Sequence, residues 1–371
     1  FRCAPRRSAS TMPEASVSGV EVEVDTDKRI AALADVKVQD ITSIYEFGDE
    51  LGRGRFSVVQ AATHKKEGAK YAVKVVENDS LGDEENLEAL ETEIKILRQL
   101  SNPHIVQLKE VVTAKENTYI VMELLSGGEL FNRIVEKGCY PEAEAADLFA
   151  QILLSIDYLH SLNIVHRDVK PENILFISTD SSDMKLIDFG YAGLWQPDRE
   201  LTGLCGTPDY VAPEVLTWYD DDDNGTPYGK GSDLWSLGVL LYVILSGCSP
   251  FSADEEELLL KQVAEAKYDF FENEWKNISD DAKDVIKRLL VADPANRMTM
   301  PQLLEHPWVK ASADKCREEI ERKMSAAPPV AAAAKQPKEP KVKGDRKLSK
   351  GCPKMGCPKP CCNPKACCSI M

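Results

Sequence analysis

With 371 residues, the chain is too long for one typical globular domain and suits a two-lobed domain of about 260 residues with a further segment at each end. Its formal charge of −16 is unevenly spread, because residues 335–365 hold ten Lys and Arg against two acids and leave the rest strongly acidic. An acidic body excludes nucleic-acid binding through a general basic face, and no apolar run reaches the length of a membrane-spanning helix.

The eleven cysteines are also unevenly placed. Six lie in the last twenty residues, and the other five are scattered singly over the preceding chain. Scattered cysteines are typical of reduced thiols in a cytoplasmic protein and not of a disulfide framework. We therefore expect a cytoplasmic protein whose terminal cysteines have a separate role.

Residues 1–44 have no clear pattern of secondary structure. Up to residue 13 they hold Arg2, Arg6 and Arg7 with several Ser and Thr and no acid, which is typical of disorder, with the end of a targeting peptide as the alternative. From Glu14 the chain turns acidic without a firm period. We expect a mostly disordered lead-in.

Two glycines open the first region with clear strand patterns. Gly52 and Gly54 stand between apolar stretches, which predicts a hairpin whose backbone N–H groups can approach phosphate oxygens. A Gly-x-Gly pair alone is weak evidence. About twenty residues further on, the alternating stretch Tyr71-Ala-Val-Lys-Val-Val predicts a strand that carries Lys74, and this companion strengthens the prediction of a phosphate site.

A helical pattern and another strand follow. Residues 84–100 have leucines and isoleucines at helical spacing, with Glu93 among them. A single Glu on a helix is usually solvated, so the helical pattern alone assigns Glu93 no functional role. The strand-like stretch 118–125 then runs into Ser-Gly-Gly, which predicts a hinge between two lobes.

Residues 164–190 hold the polar groups on which the functional interpretation depends. Asp168, Lys170 and Asn173 lie in Ile-Val-His-Arg-Asp-Val-Lys-Pro-Glu-Asn-Ile-Leu, and Asp188 follows fifteen residues after Asn173 in Asp-Phe-Gly. Together they supply two carboxylates, an ammonium and an amide oxygen. Phosphoryl transfer from a magnesium nucleotide needs such a set of groups. The protein must bind hard cations through oxygen ligands, orient the acceptor hydroxyl and stabilise the negative charge on the phosphoryl group that moves.

These stretches resemble the catalytic and metal-binding loops of eukaryotic serine/threonine protein kinases. Two motifs, Ser126-Gly-Gly-Glu-Leu-Phe and Asp233-Leu-Trp-Ser-Leu-Gly-Val, are similar to those of the calcium/calmodulin-dependent kinase group. The resemblance covers residues 45–308 and implies an α+β, bilobal kinase fold. Its small β-rich N-lobe with one main helix would span 45–123, and its larger, mostly helical C-lobe would span 126–308.

The resemblance also implies ATP and Mg²⁺ as cofactors and protein Ser/Thr hydroxyls as acceptors. Asp168 would accept the proton of the substrate hydroxyl, and Lys170 would steady the moving phosphoryl group and mark serine/threonine specificity. Asn173 and Asp188 would hold Mg²⁺.

Nucleotide binding is assigned by the same resemblance. Lys74 would bind the α- and β-phosphates and pair with Glu93, while Met122 would guard an adenine pocket whose edges meet the backbone of Glu123 and Leu125. Ser57 stands where the common loop pattern has a third glycine. The remaining nucleotide-binding positions are Leu51, Gly52, Gly54, Val59, Ala72, Glu129 and Leu175.

Two acids point to the substrate. Glu129 and Glu172 match positions where basophilic kinases seat an arginine three residues before the acceptor, and a carboxylate pair selects Arg over Lys through charge-assisted, bidentate bonds. The alternative is that both are ordinary surface acids. We expect protein substrates with basic residues before Ser or Thr.

Residues 188–214 resemble an activation segment. Arg167 would be unpaired unless an anion docks on it, which in this family is often a phosphothreonine. The usual acceptor position, four residues before the substrate-contacting Thr207, is Gly203 here, and Thr202 stands next to it. Thr202 is therefore the candidate regulatory site.

Three further residues are assigned structural roles by resemblance. Asp233 would tie the central helix of the C-lobe to the backbone of the catalytic loop. Arg297, in Asp-Pro-Ala-Asn-Arg, should pair with Glu214.

The competing function is a pseudokinase scaffold that binds nucleotide or partners without transferring phosphate. Loss of Lys74, Asp168, Asn173 or Asp188 would favour that alternative, and all are present. Calmodulin control is not favoured, because residues 311–324 are helix-compatible but mixed in charge, whereas a calmodulin target should be a basic amphipathic helix.

Residues 309–371 read as a disordered basic, Cys-rich tail. Cys368-Ser-Ile-Met matches a prenylation box, and Cys361, Cys362 and Cys367 are candidate palmitoylation sites behind the basic run. One lipid gives marginal membrane residence and a second signal makes it durable, so we expect attachment to the cytoplasmic leaflet. The alternative is a metal–thiolate cluster of the six tail cysteines.

The tail also contains Arg346-Lys-Leu-Ser349, a serine three residues after an arginine. Phosphorylation of Ser349 by the kinase itself would add about −1.5 to −2 charges to the basic run. This predicts an electrostatic switch of membrane attachment.

Overall fold

The structure, a computed structural model, describes residues 29–30, 33, 36–54, 57–81, 84–114, 116–219 and 224–326. They form a β-rich lobe followed by a mainly helical lobe. The α+β class and the two-lobed arrangement predicted from the sequence are confirmed.

The first lobe is built on one six-stranded sheet with the order β1-β5-β6-β4-β3-β2. Its strands are β1 (Val36–Val38), β2 (Tyr45–Arg53), β3 (Ser57–His64), β4 (Lys70–Glu77), β5 (Leu108–Thr113) and β6 (Asn117–Glu123). Apart from the parallel β1–β5 pair, these strands pair antiparallel. The register sets Lys74 of β4 opposite Val59 on one side and Ile120 on the other, so the lysine lies on a central strand.

One long helix, α1 (Glu84–Gln99), packs on this sheet. Glu84 and Glu85 in its first turn and Arg98 in its last turn complement the helix dipole. Its buried face includes Leu90 and Ile94, as the helical spacing predicts, and also Glu93.

The second lobe consists of helices and short strand pairs. Its helices are α2 (Leu130–Lys137), α3 (Glu142–Ser161), α4 (Pro213–Leu216), α5 (Gly231–Ser246), α6 (Glu256–Ala264), α7 (Glu272–Trp275), α8 (Asp280–Leu289), α9 (Met300–Leu304) and α10 (Pro307–Ala326). Its strands are β7 (Ile164–Val165), β8 (Ile174–Phe176), β9 (Met184–Leu186) and β10 (Gly193–Leu194), paired as β7–β10 and β8–β9. Because α5 is apolar along nearly its whole length, it is buried on all sides and forms the centre of this lobe.

The lead-in predicted for residues 1–44 is wrong in its last part. β1 extends the sheet by pairing Val36 with Val111, and Asp40 caps a short 3₁₀ helix by accepting the Thr42 N–H at 2.9 Å. Ile41 in that helix is 2% exposed. A three-residue strand is too short to give a firm period, which is why the sequence pattern missed it.

The tail predicted to be disordered from residue 309 is instead helical at its start. α10 continues to Ala326 and packs along α3, with Ala313 and Cys316 buried between them. Lys323 near its end donates to Asp183 at 2.7 Å. Residues 327–371, which include Ser349 and the tail cysteines, lie outside the described residues. Among the described helices, none combines the length and apolar character needed to cross a bilayer.

Candidate active site

The catalytic loop is held from behind by Asp233, near the start of α5. Its fully buried carboxylate accepts the backbone N–H groups of His166 and Arg167, each at 2.9 Å, and contacts Nε2 of His160 at 2.8 Å. Burial alone would raise the pKa of Asp233, but these partners hold it below its ordinary value. Arg167 has φ +66°, a conformation that the two bonds from its loop to Asp233 help to hold.

Three side chains converge on the carboxylate of Asp168, which is 3% exposed. Asn173 Nδ2 lies 2.9 Å and Lys170 Nζ 2.8 Å from Oδ2, and the hydroxyl of Thr207 donates to Oδ1 at 2.8 Å. Lys170 Nζ also donates to Thr207 Oγ1 at 2.7 Å. Because every hydrogen bond and ion pair in this network is short, the Asp168 carboxylate is fixed in one orientation.

Lys74 and Glu93 meet as predicted, at 2.6 Å between Nζ and Oε1. Burial alone would lower the pKa of Lys74, but the charges of Glu93 and Asp188 outweigh it and raise that pKa, so the ammonium stays protonated. Burial raises the pKa of Glu93, and the ammonium opposes the rise. The contact joins α1 to the central strand β4.

Asp188 stands between the two lobes, with its Oδ1 3.6 Å from Lys74 Nζ. It has φ +57° and accepts the N–H of Gly190 at 3.2 Å. Burial would raise the pKa of Asp188, but Lys74 and the Gly190 N–H hold it below its ordinary value. The next residue, Phe189, is 1% exposed and packs edge-on against His166 at 5.1 Å between ring centroids. This packing anchors the loop that presents Asp188.

The donor set suits Mg²⁺ held together with nucleotide phosphates. Asn173 spends its amide N–H₂ on the backbone and side-chain oxygens of Asp168, so its amide oxygen is the group left to bind a cation. Asp188 adds an ionised carboxylate that is 46% exposed. In the described part of the chain, no group of three or more His, Cys, Asp or Glu side chains forms a metal cage. Magnesium commonly takes only one or two protein carboxylates, with phosphates and water as further ligands.

The predicted nucleotide positions lie on facing strands of the two lobes. Ala72 of β4 pairs with Met122 of β6, and Leu175 of β8 forms a bridge with Glu129. Leu51, near the end of β2, is 51% exposed. The predicted nucleotide positions therefore lie on both sides of the hinge.

The hinge and the glycine loop differ in the backbone groups that they leave for a nucleotide. Glu123 spends its backbone N–H on the Gln107 carbonyl at 3.1 Å, so only its carbonyl remains for an adenine edge. Gly54 donates to the Ser57 carbonyl at 2.8 Å and closes the hairpin, whereas a Cβ on Gly52 would meet nothing within 4 Å. Residues 55–56 at the loop tip lie outside the described part of the chain.

The two acids predicted to bind the substrate interact electrostatically. Burial and then the charge of Glu172 raise the pKa of Glu129. Oε2 of Glu172 is buried with no hydrogen-bond partner among the described residues. Burial followed by the charges of Glu172 and Asp209 raises the pKa of the Tyr210 hydroxyl.

The expectation that Arg167 would lack a partner is wrong. Its guanidinium donates to the Tyr191 carbonyl through Nε and to the Tyr228 hydroxyl at 3.3 Å through Nη1. The same hydroxyl donates to the Gly203 carbonyl at 3.0 Å. These partners are distant in sequence, so no pattern revealed them. The segment is thus tied down at Gly203, beside the exposed Thr202.

The predicted pair of Glu214 and Arg297 is present and confirmed. It is bidentate, with N–O distances of 2.7 and 2.8 Å, and both side chains are buried. The guanidinium donates further to the carbonyls of Gly231 at 2.6 Å and Val291 at 3.0 Å. The contact joins the end of the activation segment to the base of the lobe.

Comparison with known proteins gives concordant findings. The protein kinase domain family matches residues 45–309. Myosin light chain kinase A of Dictyostelium discoideum is 43% identical over 274 residues, which are 74% of this chain and 90% of that protein. Calcium/calmodulin-dependent protein kinase type 1B of Rattus norvegicus is 42% identical over 279 residues, covering 75% of this chain and 78% of the relative. The type 1 enzyme of Macrobrachium nipponense is 40% identical with the same coverage.

Proposed function

Because the chain belongs to the protein kinase family, as an ATP-dependent serine/threonine kinase that resembles the calcium/calmodulin-dependent group, we propose that Asp168 is its catalytic base. The observation that carries this proposal is the convergence of Asn173, Lys170 and Thr207 on one nearly buried carboxylate. A fixed carboxylate can accept a hydrogen bond from the acceptor hydroxyl and take its proton as the oxygen attacks.

The neighbouring groups have distinct roles in this proposal. Lys170 contributes positive charge beside the phosphoryl group that moves, while Thr207 holds Lys170 and Asp168 together. Lys74, kept in place by Glu93, binds the α- and β-phosphates. ATP would supply the phosphoryl group, and Asn173 and Asp188 would hold Mg²⁺, which would offset the charge of the phosphates.

The test of the base is Asp168→Asn, which keeps the shape of the side chain. We expect peptide phosphorylation to fall by about a hundredfold or more, in the range typical of a lost general base. ATP affinity, measured separately by calorimetry, should stay close to the parent value. A parent-like rate in the Asn variant would refute the assignment.

We propose that the substrate site selects arginine three residues before the acceptor. The support is Glu172, whose buried Oε2 has no partner among the described residues, next to the electrostatically coupled Glu129. A buried carboxylate oxygen without a donor is costly, and an incoming guanidinium would satisfy it. The alternative is that these are ordinary surface acids.

A peptide library tests this selectivity. The parent should enrich Arg over Lys at that position, and Glu129→Gln and Glu172→Gln should each lose the enrichment while still phosphorylating peptides that have Ala there. A flat profile for the parent would remove the proposal. Asp157→Asn, an acid of α3, serves as a matched charge control.

We propose Thr202 as a site of regulatory phosphorylation. It is exposed and adjacent to Gly203, whose carbonyl is bound by Tyr228. A phosphate there would add about −1.5 to −2 charges near the Arg167 network. Phosphosite mapping of active enzyme, with Thr202→Ala as the control, tests this. Full activity of the Ala variant would refute it.

We propose that the basic, cysteine-rich residues 335–368 attach the kinase to anionic membranes, with Cys368 prenylated and Cys361, Cys362 or Cys367 acylated. The support is compositional and rests on ten Lys and Arg within residues 335–365. The rival is a metal–thiolate cluster. Intact-mass spectrometry of protein from its native cells distinguishes lipid from metal adducts.

On that basis Ser349 would act as a release switch. Phosphorylation cancels about two positive charges, each worth about 1 kcal/mol at an anionic leaflet, which weakens attachment by up to about thirtyfold. Farnesylated, unacylated protein on phosphatidylserine vesicles should dissociate when Mg-ATP is added, and Ser349→Ala protein should stay bound. Equal retention in both would refute the switch.

We propose that α10 is not a calmodulin target, although two similar proteins are named calcium/calmodulin-dependent protein kinases. Its residues Ala313 and Cys316 are buried against α3, and Lys323 is bound to Asp183. A titration of the full-length protein with Ca²⁺–calmodulin tests the point, and binding at submicromolar calmodulin would contradict it.

A further inference from the structure

One buried tyrosine lies between the activation segment and the helix that holds the catalytic loop. Tyr228 is 3% exposed and precedes the first residue of α5, Gly231, by three positions. In the first turn of α5, Asp233 accepts two backbone N–H groups of the catalytic loop. The start of α5 is therefore placed to act on both parts of the active site.

Tyr228 contacts the activation segment at three alternate residues. Its backbone N–H donates to the Leu201 carbonyl, and its carbonyl accepts the Leu201 N–H, each at 2.9 Å. Its hydroxyl donates to the Gly203 carbonyl at 3.0 Å and lies 3.4 Å from Cys205 Sγ. One residue outside the segment thus holds it at three points.

The hydroxyl of Tyr228 also joins the segment to the catalytic loop. Its single proton goes to the Gly203 carbonyl, while the oxygen accepts from Arg167 Nη1 at 3.3 Å. Because a phenol has only one donor, the thiol of Cys205 is the donor in the remaining contact. Burial raises the pKa of Tyr228, so the hydroxyl stays protonated and can donate. One oxygen atom therefore connects both elements.

The chain between Cys205 and Thr207 passes close to the catalytic loop. Gly206 has φ +102°, and a Cβ at this position would lie 2.7 Å from the Arg167 carbonyl oxygen, so only glycine fits. Thr207 comes next, and its hydroxyl donates to Asp168 at 2.8 Å. Movement of the segment just before Gly206 would therefore displace the hydroxyl of Thr207.

We propose that Tyr228 is a positioning residue, whose hydroxyl holds the activation segment so that Thr207 stays bonded to Asp168. The inference rests on the proposed role of Asp168 as catalytic base. Among the described residues, the hydroxyl contacts none of the predicted nucleotide positions. Without it, the Gly203 carbonyl and Arg167 each lose a partner, and the segment opens locally more often. Loss of the hydroxyl should therefore lower kcat and leave ATP binding intact.

The test is Tyr228→Phe in the full-length protein, which keeps the ring and removes only the hydroxyl. With a peptide substrate, we expect kcat to fall by about tenfold, as for the loss of a hydrogen bond to a charged group. The KM for ATP should change by less than about twofold. Hydrogen–deuterium exchange should increase in peptides that cover residues 199–206 and stay at the parent level in α5.

Tyr242→Phe is the matched control. Tyr242 is 1% exposed, and its hydroxyl donates to the Asp269 carbonyl at 2.7 Å, so this variant also loses a buried bond between a phenol and a backbone carbonyl. It should keep kcat within about twofold of the parent and leave exchange in residues 199–206 unchanged. A fall in kcat equal to that of Tyr228→Phe would assign the effect to a general loss of stability and overturn the proposal.

A double variant tests whether Tyr228 acts through Thr207. In a Thr207→Val background, where the bond to Asp168 is already lost, Tyr228→Phe should lower kcat by less than about twofold. A further loss of about tenfold in that background would overturn the proposal, because the two effects would then be independent. Parent-like kcat and exchange in Tyr228→Phe alone would overturn it as well.

Asp168→Asn, measured in the same assay, separates this inference from the proposed catalytic base. A parent-like rate in the Asn variant would refute the role of Asp168 itself. An inactive Asn variant beside a fully active Tyr228→Phe variant would refute only the positioning role of Tyr228.

Discussion

Thr207 offers the sharpest test of how the catalytic carboxylate is held. Its hydroxyl donates to Asp168 Oδ1 at 2.8 Å and accepts from Lys170 Nζ at 2.7 Å, so one oxygen bridges the two charged groups. Thr207→Val keeps the branched shape and removes only that bridge. Asp168 would then keep Asn173 and Lys170 on Oδ2 and lose its partner on Oδ1.

The size of the effect follows from these contacts. A hydrogen bond to a charged group is worth about 1.5–3 kcal/mol. Because about 1.4 kcal/mol changes a rate tenfold, losing the bond to Asp168 should lower kcat by about 10- to 150-fold. Thr207 touches no predicted nucleotide position, so the KM for ATP should change by less than about twofold.

Steady-state kinetics with a peptide substrate provide the measurement. Thr207→Ser is the matched control, since it retains the hydroxyl, and it should stay within about threefold of the parent. If the Val variant were as active as the Ser variant, the bridge would not position Asp168. A melting curve for each variant separates loss of activity from loss of folding.

Three further outcomes are expected. Arg297→Met leaves the buried Glu214 carboxylate without its bidentate partner and should destabilise the protein by about 3–5 kcal/mol in thermal or urea unfolding; an unchanged melting temperature would contradict this. Asp233→Asn should lower the free energy of unfolding at neutral pH. Because the pKa of Asp233 is lower in the folded state, the stability difference between parent and variant should shrink only in acid, below the ordinary Asp pKa of 3.8. A stability difference unaffected by acid would contradict the assignment. The raised pKa of Glu129 means that it takes up a proton at higher pH than an ordinary Glu, so the KM for an arginine peptide should rise as pH falls in the parent and not in Glu129→Gln.

Local patterns predicted the parts of the site that lie close together in the chain. Asp168, Lys170 and Asn173 fall within one short loop, so their order alone implied a shared centre. The contact of Lys74 with Glu93 was predicted from the resemblance to the kinase pattern, and the structure brings the two side chains to 2.6 Å.

Other features could not be predicted in this way. β1 was missed because three residues give no usable period, and the packing of α10 was missed because its mixed charge hid the contact of Ala313 and Cys316 with α3. The partners of Arg167 were missed because the Tyr191 carbonyl and the Tyr228 hydroxyl have no sequence signature.

The sequence by itself determined which chemical groups this protein carries and in what order, because offsets within a loop or along one strand are set by covalent geometry. Only the tertiary structure decided which donor reaches which acceptor across the chain. Thr207 bridges Lys170 and Asp168, and Gly247 closes on Gly138, because helices and strands far apart in sequence pack at distances that covalent geometry does not fix. That packing turns an ordered set of polar residues into a single catalytic centre.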